Sequence, residues 1–157
     1  MKKLLQTISK NISKLIVKIL SLNKFSTLFL DDLIQLSFER KTSILHKNTK
    51  IIFYIPNSLC HWRVKTFSTK EPETLEWIEN FKENSCMWDI GANIGLYSIY
   101  SGLLNHKVFC FEPSFSNLEI LAKNINLNNL QKKITILPIA LNDKSKISEL
   151  NLSDFKW

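Results

Sequence analysis

The chain has 157 residues, 45% of them hydrophobic, and a formal net charge of +7 at pH 7. This length favours a single domain with a sizeable core. The excess charge lies in residues 1–24, which hold six lysines and no acid, whereas residues 25–157 hold 15 basic and 14 acidic side chains. The basic charge therefore belongs to an N-terminal arm, and we expect no nucleic acid as a partner.

The cysteines also limit the class of protein. Cys60, Cys86 and Cys110 are odd in number and show no C-x-x-C spacing. This pattern predicts neither a disulfide framework nor a zinc site. We expect small buried side chains in a reducing compartment, and hence a cytoplasmic chain without a metal.

Residues 1–24 predict a basic amphipathic helix, because apolar side chains recur at helical spacing with lysines and polar residues between them. Lys10, Lys14 and Lys18 interrupt every apolar run well short of the ~18 residues of a membrane span. Two interpretations stay open: peripheral attachment to anionic lipid, or packing on this or a neighbouring domain. A second helix over 25–45 would complete a helical region of residues 1–48.

Residues 49–157 are expected to form an α/β domain. Apolar and polar residues alternate over 50–55 and 59–67 around a Pro-Asn-Ser turn, which predicts a β-hairpin. Arg63 is then expected on a solvated strand face, with contact to a substrate or cofactor carboxylate as the alternative. His46, just before the hairpin, is expected at the surface.

A buried strand that ends at Asp89 is followed by a glycine turn. Gly91 lets the backbone approach a ligand that a Cβ would exclude, and Gly95 opens the next helix. Asn93 tolerates a left-handed conformation better than most residues. The next strand ends on Glu112. Ligands of parallel sheets bind at the carboxyl ends of strands, so we expect an adenosine-type cofactor there, with its ribose hydroxyls on Glu112.

The glycine spacing excludes a dinucleotide fingerprint. Counted from Gly91, the pattern G-x-G-x-x-G requires glycines at positions 93 and 96. Asn93 and Leu96 stand there instead. An enzyme that uses NAD or a nucleotide sugar is therefore disfavoured.

The segment 89–98 has the sequence D-I-G-A-N-I-G-L-Y-S, and F-E-P follows at 111–113. The pattern D-x-G-x-N-x-G resembles the acidic, glycine-containing loop of methyltransferases that use S-adenosylmethionine (SAM). The longer pattern resembles the FkbM family of methyltransferases. This resemblance covers roughly residues 51–150.

The resemblance implies a Rossmann-like fold, SAM as the cofactor, and methylation of a hydroxyl of a sugar, glycan or small metabolite. In this loop type Asp89 orients the ammonium of the cofactor, and Asn93 can bond its carboxylate. Thr74 would lie beside the methionine half, and Asp143 beside the adenine. The expected cofactor-binding residues are therefore Asp89, Gly91, Asn93, Gly95, Glu112, Thr74 and Asp143.

Three parallel core strands are predicted, at 87–90, 107–111 and 134–137. The methyltransferase sheet places further strands beside the first one. Without them an apolar edge would be exposed, which is a known liability. We therefore expect this chain to be the N-terminal part of a longer enzyme.

No catalytic residue is predicted. His46 and His61 precede the glycine turn, and His106 lies at the amino end of the second strand, so none is placed as a general base. The main hypothesis is a SAM-dependent methyltransferase acting on a small-molecule or glycan acceptor. The alternative is an inactive fragment, or a module that binds a membrane or a partner through its N-terminal helix.

Overall fold

A computed structural model gives the structure of residues 2–147 and of residue 149. The chain divides into two compact units, residues 1–40 and residues 41–157. The first unit contains the helices α1 (Lys2–Leu20) and α2 (Lys24–Ser37). In the described part of the chain, no helix is both long and apolar enough to cross a membrane.

The second unit begins with an antiparallel hairpin of β1 (Lys41–His46) and β2 (Thr49–Tyr54). The helix expected over 25–45 therefore ends earlier, at Ser37. In β1, half-buried residues alternate with exposed ones, as in a strand with one face on a core. The boundary between the units consequently lies after residue 40, and not after residue 48.

The prediction of a second hairpin strand over 59–67 is wrong, because residues 58–65 form a helix, α3 (Ser58–Lys65). Asn57 caps it: its side-chain oxygen accepts a hydrogen bond from the N–H of Cys60 at 2.9 Å. The helix buries Cys60 and Val64, which are four residues apart and so share one face. Two further short helices follow, α4 (Phe67–Lys70) and α5 (Pro72–Glu79).

Three parallel strands form the central sheet in the order β3-β4-β5. They alternate with two helices, and the bounds of these elements are β3 (Cys86–Ile90), α6 (Leu96–Leu103), β4 (Lys107–Phe111), α7 (Phe115–Leu127) and β5 (Ile134–Leu137). All three strands were predicted, and the α/β fold class with a parallel sheet is confirmed. One sheet face is buried through Met87, Val108 and Cys110, whereas Trp88 and Ile90 on the other face are exposed.

Asn124 of α7 and Asn128, which caps the C-terminal end of this helix, fix the hairpin to the sheet domain. The buried Asn124 accepts a hydrogen bond from the N–H of Tyr54 at 2.8 Å and donates one to the carbonyl of Ile94 at 2.7 Å. Asn128 accepts from the N–H of Ile52 at 3.0 Å and donates to its carbonyl at 2.7 Å. These bonds satisfy backbone groups that β1 does not pair, and they also hold the loop after β3.

Two sequence-based expectations fail at single residues. His46 is half-buried rather than at the surface: its Nδ1 lies 2.8 Å from Ser68 Oγ, and its Nε2 lies 3.2 Å from Glu79 Oε1. Cys60 and Cys110 are buried, but Cys86 is exposed, because it lies on the uncovered face of the edge strand β3. All three cysteines are free thiols.

Candidate functional site

A cavity of about 390 Å³ lies at the carboxyl end of β3. Its lining comes from the glycine loop between β3 and α6 and from the segment that contains α3, α4 and α5. The side chains that line the cavity include Arg63, Phe67, Thr74, Asp89, Asn93 and Tyr97. The cavity therefore lies where ligands bind in open parallel sheets.

The glycine loop is held in shape by the neighbouring strand. The N–H groups of Gly91 and Ala92 both donate to the carbonyl of Phe111, at 2.8 and 3.2 Å. Gly91 has a φ of +80°, and no atom lies within 4 Å of the place where its Cβ would be. Its backbone is consequently open to the cavity, as a loop that contacts a ligand requires.

Gly95 has a different role from Gly91, although both have a positive φ. Gly95 is buried at the start of α6, and a Cβ there would lie 2.4 Å from Cδ1 of Leu121. It does not line the cavity. Its lack of a side chain thus serves the packing of α6 against α7.

Asp89 brings a carboxylate into the cavity wall. It accepts a hydrogen bond from the hydroxyl of Ser98, which in turn accepts one from the thiol of Cys110 at 3.0 Å. Burial raises the pKa of Asp89, and the charge of Glu112 adds to this effect, while the Ser98 hydrogen bond opposes it. Ser98 was not among the predicted site residues, although its position in the first turn of α6, three residues after Gly95, could have indicated it.

Glu112 directly follows β4 and is only 5% exposed. Its Oε2 accepts a hydrogen bond from the N–H of Asn93 at 2.8 Å, and its Oε1 accepts one from the N–H of Ser114 at 2.9 Å. The carboxylate does not line the cavity; it lies behind the glycine loop. Each oxygen keeps a second lone pair that a further donor can use.

Asn93 links the loop to α3. It has a φ of +54°, as expected for its left-handed position, and its side-chain oxygen accepts a hydrogen bond from Nη1 of Arg63 at 2.9 Å. Arg63 thereby lies in the cavity wall and not on a solvated strand. The helix cap at Asn57 was the sequence signal that would have placed it there.

The rim of the cavity carries a second polar cluster. Lys70 and Glu71 form an ion pair of 2.9 Å, and the hydroxyl of Tyr97 donates to Glu71 at 2.9 Å. These two bonds hold the pKa of Glu71 below its ordinary value. Burial and the bond to Glu71 raise the pKa of Tyr97. Thr74 on α5 lies in the same wall.

The predicted site residues therefore divide into three groups. Asp89, Gly91, Asn93 and Thr74 line the cavity. Gly95 and Glu112 lie behind it and fix the loop. Asp143 is exposed beyond β5, where its N–H donates to Asn142 Oδ1 at 2.8 Å, and it does not line the cavity.

No family model matches the chain, and no curated protein matches it either. The chain is, however, similar to several solved structures. The C-terminal domain of precorrin-6Y C5,15-methyltransferase from Rhodobacter capsulatus is 23% identical over 46% of this chain and 40% of its own, with a TM-score of 0.42. P. horikoshii TYW2 in complex with MeSAdo is 17% identical over 64% of this chain and 36% of its own, with a TM-score of 0.46. The M. jannaschii tRNA m1G37 methyltransferase is 25% identical over 62% of this chain and 29% of its own, with a TM-score of 0.44.

The names of these proteins describe methyltransferases or a complex with MeSAdo, and none of them names an FkbM protein. The chain spans well under half the length of each. One of them acts on tRNA, so the expectation of no nucleic-acid partner is wrong as an exclusion. The concentration of basic residues in the N-terminal arm therefore does not rule out a nucleic acid as a substrate.

Proposed function

We propose that the second unit of this chain binds SAM in the cavity at the end of β3 and is the cofactor-binding part of a methyltransferase. One observation carries the proposal: the open backbone of Gly91 and the carboxylate of Asp89 line one cavity, and the carboxylate of Glu112 lies directly behind the same loop. A dinucleotide enzyme would need glycines that the loop lacks.

The residues around the cavity suggest how the cofactor would be held. Asp89 would accept the ammonium of the cofactor, and Gly91 would contact it through the backbone. Glu112 would accept ribose hydroxyls with its remaining lone pairs while it keeps the loop in place. Thr74 would lie beside the methionine half, and we propose Asp143 for the adenine end on the family resemblance alone.

The finer proposal is O-methylation within the FkbM family, on a sugar, glycan or small-metabolite hydroxyl. Bound SAM supplies an electrophilic methyl group on a positively charged sulfur. The chain's own contribution is to hold that group in line with the acceptor oxygen. Among the described residues of the cavity, Asp89 is bonded to Ser98 and Glu71 to Lys70 and Tyr97, so we assign no general base to them.

Equilibrium dialysis of the full chain with radiolabelled SAM tests the cofactor site. We expect saturable binding that Glu112→Ala weakens by about tenfold or more, since hydrogen bonds to a charged group contribute ~1.5–3 kcal/mol. Glu112→Gln keeps the shape of the side chain if the alanine variant misfolds. Glu119→Ala removes the same charge from an exposed site on α7 and is the control. A folded wild-type chain that binds no SAM would refute the function.

We also propose, as a second function, peripheral attachment of the chain to the cytoplasmic face of an anionic membrane through α1. The specific observation is the distribution of its side chains: seven apolar residues share roughly a third of the helix circumference, and Lys3, Lys10, Lys14 and Lys18 lie on the other side. All seven apolar side chains are exposed: Leu4, Leu5, Ile8, Ile12, Leu15, Ile16 and Ile19. A nucleic acid would use the lysines alone, whereas a lipid surface uses both faces.

Co-sedimentation with vesicles tests this attachment. We expect the full chain to bind vesicles of phosphatidylglycerol and phosphatidylcholine, and to bind pure phosphatidylcholine far less. Replacing Lys10, Lys14 and Lys18 by Gln should abolish the difference. The matched control replaces the exposed Lys132, Lys144 and Lys146 of the second unit by Gln. Equal losses in both variants, or binding to RNA but not to lipid, would refute the proposal.

A further inference from the structure

A serine, a histidine and a glutamate from three different elements form a hydrogen-bonded cluster outside the cavity lining: His46 ends β1, Ser68 lies on α4, and Glu79 ends α5. Ser68 Oγ lies 2.8 Å from Nδ1 of His46, and Oε1 of Glu79 lies 3.2 Å from Nε2 of the same ring. None of the three side chains lines the cavity beside the glycine loop. They are therefore a second group of chemically reactive side chains, which the proposed cofactor site does not use.

Glu79 determines which nitrogen of the His46 ring carries the proton. Its carboxylate also accepts hydrogen bonds from Nζ of Lys47 and, at 2.6 Å, from the hydroxyl of Tyr100. The bond from Lys47, followed by that from Tyr100, holds the pKa of Glu79 below its ordinary value, so the carboxylate is ionised at neutral pH. An ionised carboxylate only accepts hydrogen bonds. Nε2 therefore carries the proton, and Nδ1 of the neutral ring accepts the hydrogen bond that Ser68 Oγ donates.

The imidazole ring of His46 is held in one orientation, whereas the serine is open to solvent. The side chain of His46 is only 13% exposed. Phe67 and Tyr100 pack against it edge to face, with ring centroids 5.5 and 5.2 Å away. Ser68 is exposed. A general base must stay aligned and a nucleophile must be accessible to its substrate, and the cluster meets both conditions.

We propose that Ser68 is a nucleophile activated by His46 and that it accepts the acyl group of small activated esters. Oγ of Ser68 attacks the carbonyl carbon while its proton passes to Nδ1 of His46. The bond from the carbonyl carbon to the leaving oxygen then breaks, and the leaving group departs with the bonding electrons and takes the proton from Nδ1. Water, deprotonated by Nδ1 in the same way, releases the acid and restores the serine hydroxyl.

Glu79 is a positioning residue in this step, because it acts only through the orientation and tautomer of His46. Ser68 lies at the surface and not in the cavity, so the reactivity of the ester defines the substrate class more than its shape does. This activity is independent of the proposed cofactor site, and either one can fail without the other.

Reaction of the full chain with p-nitrophenyl acetate tests the proposal, with time points quenched in acid and acetylated residues located by peptide mass spectrometry. We expect Ser68 to be acetylated about a hundredfold or more faster than Ser58, an exposed serine on α3, because a positioned general base contributes ~10²–10⁴-fold. His46→Gln should slow Ser68 to the rate of Ser58. Ser68→Ala should remove the corresponding release of p-nitrophenolate, and the matched Ser58→Ala should not. Peptide mapping separates this reaction from acetylation of the exposed thiol of Cys86.

The pH dependence of acetylation distinguishes a general base from a merely structural histidine. A serine without a base reacts as its alkoxide, so its rate rises about tenfold per pH unit. For Ser68 we expect acetylation that is lost in acid, where the imidazole is protonated, and that becomes constant once the imidazole is neutral. The proposal is overturned if Ser68 stays unmodified, reacts no faster than Ser58, or keeps accelerating with pH as Ser58 does. This measurement uses the wild type, so it decides the proposal even if His46→Gln does not fold.

Discussion

The backbone N–H of Asn93 donates a 2.8 Å hydrogen bond to the buried carboxylate of Glu112. This bond joins the turn after β3 to the end of β4, and the carbonyl of Phe111 reinforces it by accepting from Gly91 and Ala92. Charge-assisted bonds to backbone donors are stronger than neutral ones. The shape of the glycine loop is therefore set by the fold itself, and the cavity is preorganised.

The two glycines of the loop should respond differently to the same substitution. Gly91→Ala introduces a side chain into a left-handed residue with open space around it, which costs about 1–2 kcal/mol. Gly95→Ala adds the overlap with Leu121, and overpacking costs a further ~1–3 kcal/mol. Urea denaturation measures both free energies of unfolding. Equal losses would contradict the packing role of Gly95.

Asn124 should be one of the most sensitive polar residues of the domain. Asn124→Ala leaves the N–H of Tyr54 and the carbonyl of Ile94 without their partner, and an unsatisfied buried group costs about 1–3 kcal/mol. We expect a loss of about 2–4 kcal/mol in the free energy of unfolding. Asn126→Ala, at an exposed position of the same helix, should change it by less than about 0.5 kcal/mol. Similar values for the two variants would contradict the account.

Asp89 should make stability depend on pH in a specific direction. Burial raises its pKa above the ordinary value of 3.8, so the folded state binds the proton more tightly than the unfolded state. Its contribution is complete below pH 3.8 and is lost as the pH rises towards the raised pKa. We therefore expect Asp89→Asn to be more stable relative to the wild type at pH 7 than near pH 3.5, when stability is measured as the free energy of unfolding. The exposed Asp143→Asn is the control, and an opposite pH trend would contradict the assignment.

The three cysteines should differ in reactivity in the folded chain. Burial raises the pKa of Cys110 to about 12, against the opposing Ser98 hydrogen bond, and burial also raises the pKa of Cys60. The reactive form is the thiolate, so only the exposed Cys86 should react rapidly with Ellman's reagent at pH 8. Cys86→Ser should abolish the rapid phase, and a remaining rapid phase would contradict the burial of the other two.

The elements around the glycine loop could be predicted because their signals are local. The strand that ends at Asp89, the turn through Gly91 and the strand that ends at Glu112 each follow from short patterns of apolar residues and glycines. Parallel strands then bring their carboxyl ends to one edge of the sheet. This geometry is the reason why the sequence predicts that Asp89 and Glu112 lie near one another.

The features that were missed depend on contacts distant in sequence. The strand 41–46 forms against β2, and Arg63 reaches the cavity only because residues 58–65 are helical. His46 gains its partners, Ser68 and Glu79, from elements that follow it in the chain. Short alternating segments such as 59–67 fit both a strand and a short helix, and here the cap at Asn57 favours the helix.

The central claim is that the cavity beside the glycine loop binds the cofactor. The most direct measurement follows the backbone amide signals of the full chain by ¹H–¹⁵N NMR during titration with S-adenosylhomocysteine. The account predicts saturable shifts of the amides of Gly91, Ala92, Asn93 and Tyr97, with the amides of the β1–β2 turn unchanged. Unchanged loop amides in a folded chain, or shifts confined to other surfaces, would contradict it.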